Sequence, residues 1–227
     1  FTGDNPRETP MKIFPAVHYS MGGIWTDYEP DSHGLIEHGS PKNQMTSISG
    51  LYAAGEVDYQ FHGANRLGAN SLLSCIYTGL MIARGVMNFS KNLDKEVESV
   101  PSSIFHQAQS YWDNRFKEIR KMNGKENPFK LHQELGNIML ANVLIVRDNK
   151  GLEKTVYAIE DIQKRFQDVK CVDTQDWANP VPSFINQLSC MIELSKVVTK
   201  GALMRDEFRG AHYKPEFDLK QPANFDP

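Results

Sequence analysis

Hydrophobic residues in the second half of the chain recur every three or four positions, which is the spacing of one face of an α-helix. This pattern predicts four helices, over residues 102–122, 128–148, 151–169 and 184–204. Because the connections between them are short, we expect the helices to pack as antiparallel neighbours in a bundle. Pro128 suits the first turn of the second helix, and Ser102 or Ser103 could cap the first.

Each predicted helix has an apolar stripe that we expect to be buried in the core of the bundle. The stripes contain Phe105, Ala108, Trp112, Phe116 and Ile119; Leu131, Leu135, Ile138 and Met139, with Asn142 on the same face; Leu152, Val156, Ile159, Ile162 and Phe166; and Leu188, Met191, Ile192 and Val198. Arg147 lies near the end of the second predicted helix, where its charge would complement the helix dipole.

The first half of the chain has a different pattern. Residues 13–28 predict two strands joined by a turn at Gly22-Gly23, and residues 51–56 predict a short buried strand that ends in Gly55-Glu56. Residues 71–89 form a long apolar run that predicts a buried helix. Together with the later helices, these elements predict an α+β fold.

Composition narrows the possible functions of the 227-residue chain. A hydrophobic content of 40% is sufficient for a core, and a net charge of -3 gives no basic surface for nucleic acid. The long apolar run is interrupted by Ser74, Thr78 and Arg84, so we expect any membrane association to come through a partner. Three widely spaced cysteines favour reduced thiols, and we expect no metal site at His33 and His38.

The stretch from His62 to Leu73 is the strongest candidate for ligand binding. Its small residues allow a ligand to approach the backbone, and Asn70 or Ser71 could cap the helix that follows. The first N–H groups of a helix carry partial positive charge, and Arg66 adds a permanent charge suited to a carboxylate. Glu56 would place a carboxylate near the same loop, where it could accept hydrogen bonds from ligand hydroxyls.

Four segments occur in order along the chain: His18-Tyr19-Ser20-Met21-Gly22-Gly23, Gly50-Leu51-Tyr52-Ala53-Ala54-Gly55-Glu56, His62 to Leu73, and Arg209-Gly210-Ala211-His212. In sequence and spacing they resemble the flavoprotein subunit of succinate dehydrogenase and fumarate reductase. The resemblance implies FAD-dependent oxidation of succinate to fumarate, or the reverse reaction, with electrons passed to an iron–sulfur subunit. It also implies a membrane anchor subunit and a cytoplasmic position, peripheral on the inner membrane.

The resemblance also implies roles for particular residues. His18 and Arg66 would bind the substrate carboxylates, Glu56 would bind the ribityl hydroxyls of FAD, and the start of the long helix, at Asn70, Ser71 and Leu72, would face the flavin. We expect the arginine that transfers the proton to lie upstream of this sequence. Arg209 and His212 would support the site from outside it.

By the same resemblance, residues 1–15 would return from a capping domain and residues 16–90 would be the back end of an FAD-binding α/β domain. Residues 91–204 would form the helical bundle domain, and residues 205–227 would start a C-terminal domain. The sequence contains no G-x-G dinucleotide fingerprint. We therefore expect a longer protein, with this part inactive alone.

Two alternatives remain open at this point. L-Aspartate oxidase shares a similar loop but works without an iron–sulfur subunit. In a different class, residues 102–204 could act as a non-catalytic helical docking module. The sequence does not decide between succinate oxidation and fumarate reduction, because both directions use the same site.

Overall fold

A computed structural model describes residue 5, residues 7–9, residues 19–59 and residues 61–219. The chain divides into two compact units, which cover residues 1–91 and 92–227. Each unit has its own elements, and each is described in turn. The predicted return from a capping domain lies mostly outside the described residues.

The second unit is helical, as the sequence pattern predicted. Its helices are α2 (Ser102–Lys121), α3 (Pro128–Asn142), α4 (Asn149–Arg165) and α5 (Val181–Met204), numbered after α1 of the first unit. Short 3-10 helices cover Val97–Ser99, Phe166–Asp168 and Pro215–Phe217. The four predicted helices are confirmed, and the largest error in their limits is the end of α3, which was predicted six residues too late.

One core holds the four helices together. Its buried members are Ile119, Leu131, Leu135, Ile159, Ile162, Phe166, Val169, Cys171, Ile185, Leu188 and Ile192. Phe166, Val169 and Cys171 follow α4, and the other members come from α2, α3, α4 and α5. Each helix therefore removes apolar surface from water by packing on the others, which is the main stabilising term of such a bundle. Arg165 adds ion pairs at 2.9 Å to Glu126 and Glu134.

Two of the predicted buried stripes are wrong in part. On α2 only Ile119 is buried and Phe116 is partly buried, whereas Phe105 is 55% exposed and Trp112 is 51% exposed. On α5, Val198 is exposed and the neighbouring Thr199 is buried. Periodicity identifies the apolar side of a helix, but it does not show how far along that side another element reaches.

Helix ends follow from local side-chain chemistry. The Asn127 side chain accepts hydrogen bonds from the N–H groups of Phe129 and Lys130, immediately before Pro128 at the predicted start of α3. Asp148 caps α4 by accepting from the Gly151 N–H at 2.8 Å. Pro101, not a serine, precedes the first residue of α2, so the predicted caps Ser102 and Ser103 lie inside that helix.

The C-terminal end of α5 is closed by a buried lysine. The Lys214 side chain is fully buried, and its ammonium donates to the carbonyl oxygens of Ala202, Leu203 and Arg205 at 3.2–3.4 Å. These carbonyls lie at the end of the helix, where the dipole favours a cation. The same ammonium also donates to Asp206 at 2.9 Å, so one of its three N–H groups is shared between two acceptors, and this bond lowers the pKa of the Asp206 carboxyl group.

His212 joins the same region to the end of α3. Arg147 donates through Nε to the Val143 carbonyl at 2.7 Å, the capping role that the sequence favoured, and through Nη1 to His212 Nδ1 at 2.7 Å. His212 Nε2 then donates to the Arg205 carbonyl at 2.8 Å. With one ring nitrogen accepting and the other donating, the imidazole is neutral. Burial, followed by the nearby charges of Arg147, Arg205 and Lys214, lowers its pKa.

This neutral imidazole predicts a dependence of stability on pH. The unfolded chain binds a proton on His212 near the ordinary pKa of 6.5, whereas the folded chain binds it only at lower pH. Protonation therefore favours unfolding, and the free energy of unfolding should fall as the pH drops below 6.5 toward the pKa of the folded state. Urea unfolding at about pH 7.5 and about pH 5.5 measures this loss.

The matched control for this prediction is His106, an exposed imidazole on α2. His212→Gln should destabilise the protein at neutral pH and reduce the additional loss at low pH, while His106→Gln should keep the full loss. Equal pH dependence in the His212→Gln variant and the unchanged protein would contradict the assignment.

The first unit is built around α1 (Asn70–Lys91), and a 3-10 helix covers Gly55–Val57. The predicted strands are wrong over the described residues, where extended segments meet only at isolated bridges, such as Ile24 with Asp58 and Met45 with Tyr52. A strand requires a continuous partner for its N–H and C=O groups, and these segments contact one another at single residues. The part of the first predicted strand before Tyr19 lies outside the described residues.

α1 buries three small residues and Met81, and it exposes its leucines. Its buried positions are Ser74, Thr78, Met81 and Gly85, which lie four, three and four residues apart and so share one side. A side chain at Gly85 would place its Cβ 2.9 Å from the Ser40 carbonyl oxygen. Leu72 and Leu80, in contrast, are 73% and 68% exposed, so the prediction that this helix is buried holds on one side only.

By length and composition α1 could cross a membrane, and it alone among the described helices meets that test. Core helices of soluble domains pass the same test. Its contacts within the unit include two hydrogen bonds: Asn88 donates to the Gly39 carbonyl at 2.8 Å, and Thr78 accepts from the Gly55 N–H at 3.2 Å.

Candidate functional site

The predicted ligand loop leads directly into α1. The helix begins at Asn70, one residue earlier than predicted, so Asn70 and Ser71 lie inside the helix and do not precede it as caps. Ala69 comes immediately before and has φ of +65°, a left-handed conformation that costs a residue with a Cβ of order 1–3 kcal/mol. The Asn70 N–H donates to the Leu67 carbonyl at 3.3 Å, whereas the next N–H groups, those of Ser71 and Leu72, have no acceptor within the helix and are available to an anion.

Arg66 is held against an aromatic ring. The centre of its guanidinium lies 5.4 Å from the centroid of the Tyr19 ring, within the range of a cation–π interaction. One guanidinium nitrogen also donates to the neighbouring Leu67 carbonyl at 3.4 Å. Since a guanidinium has five N–H donors in a planar fork, these contacts leave enough donors for a carboxylate.

Tyr19 connects Arg66 to the first turns of α1. Its hydroxyl lies 3.3 Å from Ser74 Oγ, and the His62 ring meets the Tyr19 ring edge-on, with centroids 4.8 Å apart. His62 Nε2 is itself 3.1 Å from the same Ser74 Oγ. Ser74, a buried residue on α1, therefore joins the loop, the tyrosine and the helix.

The directions of these hydrogen bonds follow from counting protons. The Ser74 hydroxyl donates its only proton to the Ser71 carbonyl at 2.8 Å, so it can act only as an acceptor toward Tyr19 and His62. Tyr19 must then donate its phenolic proton inward, and His62 must carry a proton on Nε2. The arrangement fixes both rings with respect to α1.

Glu56 contacts Ser20, the residue that follows Tyr19. Its Oε1 accepts from the Ser20 N–H at 2.9 Å, and the carboxylate is exposed. Gly55 precedes it with φ of +77°, and a Cβ there would lie 2.9 Å from Cys75 Sγ on α1. Only glycine fits this position without strain, so the chain reaches Glu56 by passing close to the helix.

The structure thus brings Arg66, the start of α1 and Glu56 to a common support, the dipeptide Tyr19-Ser20. His18, the other predicted substrate ligand, lies outside the described residues. Sequence reasoning missed Tyr19 and Ser74 as members of the site. A usable signal was present, because Ser74 and Thr78 are polar residues one helical turn apart within an otherwise apolar run.

Two family models match the chain. The model described as FAD binding domain matches residues 1–72, and the model described as fumarate reductase flavoprotein C-term matches residues 132–226. The first match covers Arg66, Glu56 and the start of α1, and the second covers most of the helical bundle. The chain therefore carries part of an FAD-binding domain and is of the flavoprotein class.

Relatives identify the family within this class. The chain is 46% identical over 217 residues to the succinate dehydrogenase flavoprotein subunit of Bacillus subtilis, covering 96% of this chain and 35% of the relative. It is 31% identical over 220 residues to the 8-methylmenaquinol:fumarate reductase flavoprotein subunit of Wolinella succinogenes, covering 96% of this chain and 33% of that relative. The chain belongs to the family of succinate dehydrogenase and fumarate reductase flavoprotein subunits, as the motifs predicted.

A solved structure shows the same fold. A quinol-fumarate reductase structure with menaquinol molecules superposes with a TM-score of 0.79 at 29% identity, covering 94% of this chain and 34% of that one. This match confirms the predicted fold class, in which the end of an FAD-binding domain is followed by a helical domain. The chain spans about a third of the length of the relatives that it matches.

FAD is the cofactor of this family, and the residues at the site suit it chemically. The exposed Glu56 carboxylate is an acceptor for hydroxyl groups, and the N–H groups that begin α1 are donors for carbonyl oxygens. A Cβ added at Gly63 or Gly68 would meet nothing within 4 Å, so the loop between them leaves open space. The donor and acceptor set fits a flavin with a ribityl chain.

Proposed function

We propose that this chain forms part of a flavoprotein subunit that oxidises succinate to fumarate or catalyses the reverse reaction. The observation that carries the proposal is the position of the Arg66 guanidinium, 5.4 Å from the centroid of a Tyr19 ring that contacts α1 through Ser74. One permanent cation and one helix start are thereby held near each other. This pair suits a dicarboxylate lying beside a flavin.

In this proposal each residue has a separate task. Arg66 binds one substrate carboxylate and fixes the direction of the central C–C bond, with His18 as a second ligand. The N–H groups of Ser71 and Leu72 face the flavin edge that gains negative charge on reduction, with Asn70 beside them at the helix start, so the helix dipole favours the reduced form. Glu56 accepts hydrogen bonds from the ribityl hydroxyls. When bound, FAD supplies the acceptor for a hydride.

The proposal extends to domains and partners. Residues 1–15 would return from a capping domain, residues 16–90 would complete the FAD-binding domain, residues 91–204 would form the helical domain, and residues 205–227 would begin a C-terminal domain. An iron–sulfur subunit would accept the electrons, and an anchor subunit would hold the assembly at the cytoplasmic face of the inner membrane. The relatives are named as subunits of succinate dehydrogenase and fumarate reductase, which supports this assembly.

A substrate comparison in the full-length protein tests the function. The flavoprotein, purified with its partners, should reduce an artificial electron acceptor with succinate and should not do so with L-aspartate. It should also co-purify with an iron–sulfur protein. Oxidation of L-aspartate by a flavoprotein that carries no iron–sulfur partner would instead identify an aspartate oxidase and overturn the proposal.

A further inference from the structure

We propose that Tyr19 is a positioning residue for substrate binding, which acts by holding the Arg66 guanidinium on the face of its ring. This inference rests on the proposed function, since it assigns to Arg66 the task of binding a dicarboxylate. It adds a residue that contacts neither substrate nor flavin in the proposed arrangement. Its evidence is the geometry around the ring.

Two contacts fix the ring of Tyr19, one through its hydroxyl group and one through the edge of the ring. The hydroxyl donates to Ser74 on α1, at 3.3 Å, and the His62 ring packs edge-on at 4.8 Å between centroids. Tyr19 is only 9% exposed, so the ring has little freedom to turn. A rigid aromatic face is thus presented to the guanidinium.

Arg66 needs such a support because few other contacts fix it. Its hydrogen bond within the described residues is the long one to the adjacent Leu67 carbonyl, at 3.4 Å. An arginine side chain has many rotamers, and ordering one for a ligand costs free energy that a stacked ring reduces. The ring face leaves the N–H donors at the edge of the guanidinium free for a carboxylate.

Tyr19 and the next residue also link the two proposed ligand groups. Tyr19 contacts Arg66 through its ring, and Ser20 donates its N–H to Glu56 at 2.9 Å. Adjacent residues therefore locate the group proposed for the substrate and the group proposed for the flavin. The Cα atoms of two adjacent residues lie about 3.8 Å apart, so the two supporting contacts start from neighbouring points of the main chain.

The test compares Tyr19→Leu and Tyr19→Phe in the full-length, FAD-loaded protein. Tyr19→Leu removes the aromatic face, and it should raise the KM for succinate about tenfold, with a smaller change in kcat. Tyr19→Phe keeps the face and loses only the bond to Ser74, and it should remain within about twofold of the unchanged protein. Flavin content, measured by absorbance, should be the same in both variants.

A double-mutant cycle with Arg66→Gln distinguishes positioning from general damage. If Tyr19 acts through Arg66, Tyr19→Leu should change kcat/KM little when Arg66→Gln is already present. Additive losses in the double variant, or an unchanged KM in Tyr19→Leu, would overturn the inference. Succinate turnover by the unchanged protein tests the proposed function, and its absence would remove the function itself. Normal succinate kinetics in Arg66→Gln would remove Arg66 from the site and the inference with it, whereas a large loss there with an unaffected Tyr19→Leu would remove only the inference.

Discussion

Replacing Arg66 with glutamine in the full-length protein should lower kcat/KM for succinate by at least about a hundredfold while the flavin stays bound. Glutamine keeps much of the length and polarity of the side chain but loses the charge and the bidentate fork. A substrate carboxylate that has left water for this site would then lack its charged partner. Steady-state kinetics and the flavin absorbance of the same preparation provide the two measurements.

Arg84→Gln is the matched control for this substitution. Arg84 lies in the same unit, on an exposed side of α1, eighteen residues further along the chain. The control should keep normal kinetics, because it removes one positive charge without altering the loop from His62 to Ala69. Equal kinetics in the Arg66 and Arg84 variants would exclude Arg66 from the active site.

Glu56→Ala should weaken the retention of FAD. The Glu56 carboxylate is fixed by the Ser20 N–H, so it offers a preformed acceptor to ligand hydroxyls, and alanine removes that acceptor. Loss of a hydrogen bond to a charged group corresponds to about 1.5–3 kcal/mol, or roughly a ten- to hundredfold weaker complex. The ratio of flavin to protein absorbance after gel filtration measures this loss.

The control for Glu56→Ala is Glu37→Ala, which removes an exposed carboxylate from the loop of residues 29–49 in the same unit. That variant should retain flavin normally. If FAD is attached covalently in this protein, flavin retention will not respond to the substitution. The reduction potential of the bound flavin is then the quantity to measure. Unchanged retention together with an unchanged potential would contradict the role of Glu56.

The sequence predicted the helices better than the strands, and the reason is physical. Helical hydrogen bonds lie within one segment, so α3 could be located from Pro128 and a repeating apolar face. Strands depend on partners elsewhere in the chain, and the segments around Ile24 and Tyr52 meet theirs only at single bridges. Burial was predicted less well for the same reason: the apolar side of α2 was correctly identified, but Phe105 and Trp112 are not covered.

For the candidate site, the motifs indicated which charged residues would bind ligands. They did not indicate which other side chains position those residues. Arg66 and Glu56 could be selected from residue type and resemblance. The link between them could not, because it requires the ring of Tyr19 to meet Ser74, a residue 55 positions away. Such contacts depend on how the loop folds back on α1, which spacing along the sequence does not specify.

The small residues on the buried side of α1 restrict its evolution in one direction. At Gly85 the nearest atom is a main-chain oxygen, which cannot rotate aside as a long side chain would. A larger residue at Gly85 therefore requires the main chain at Ser40 to move, whereas the exposed leucines of α1 could vary in size without disturbing the loops. The tolerance of each position on α1 to substitution should consequently depend on which atoms lie next to that position. It should not depend on the hydrophobicity of the residue.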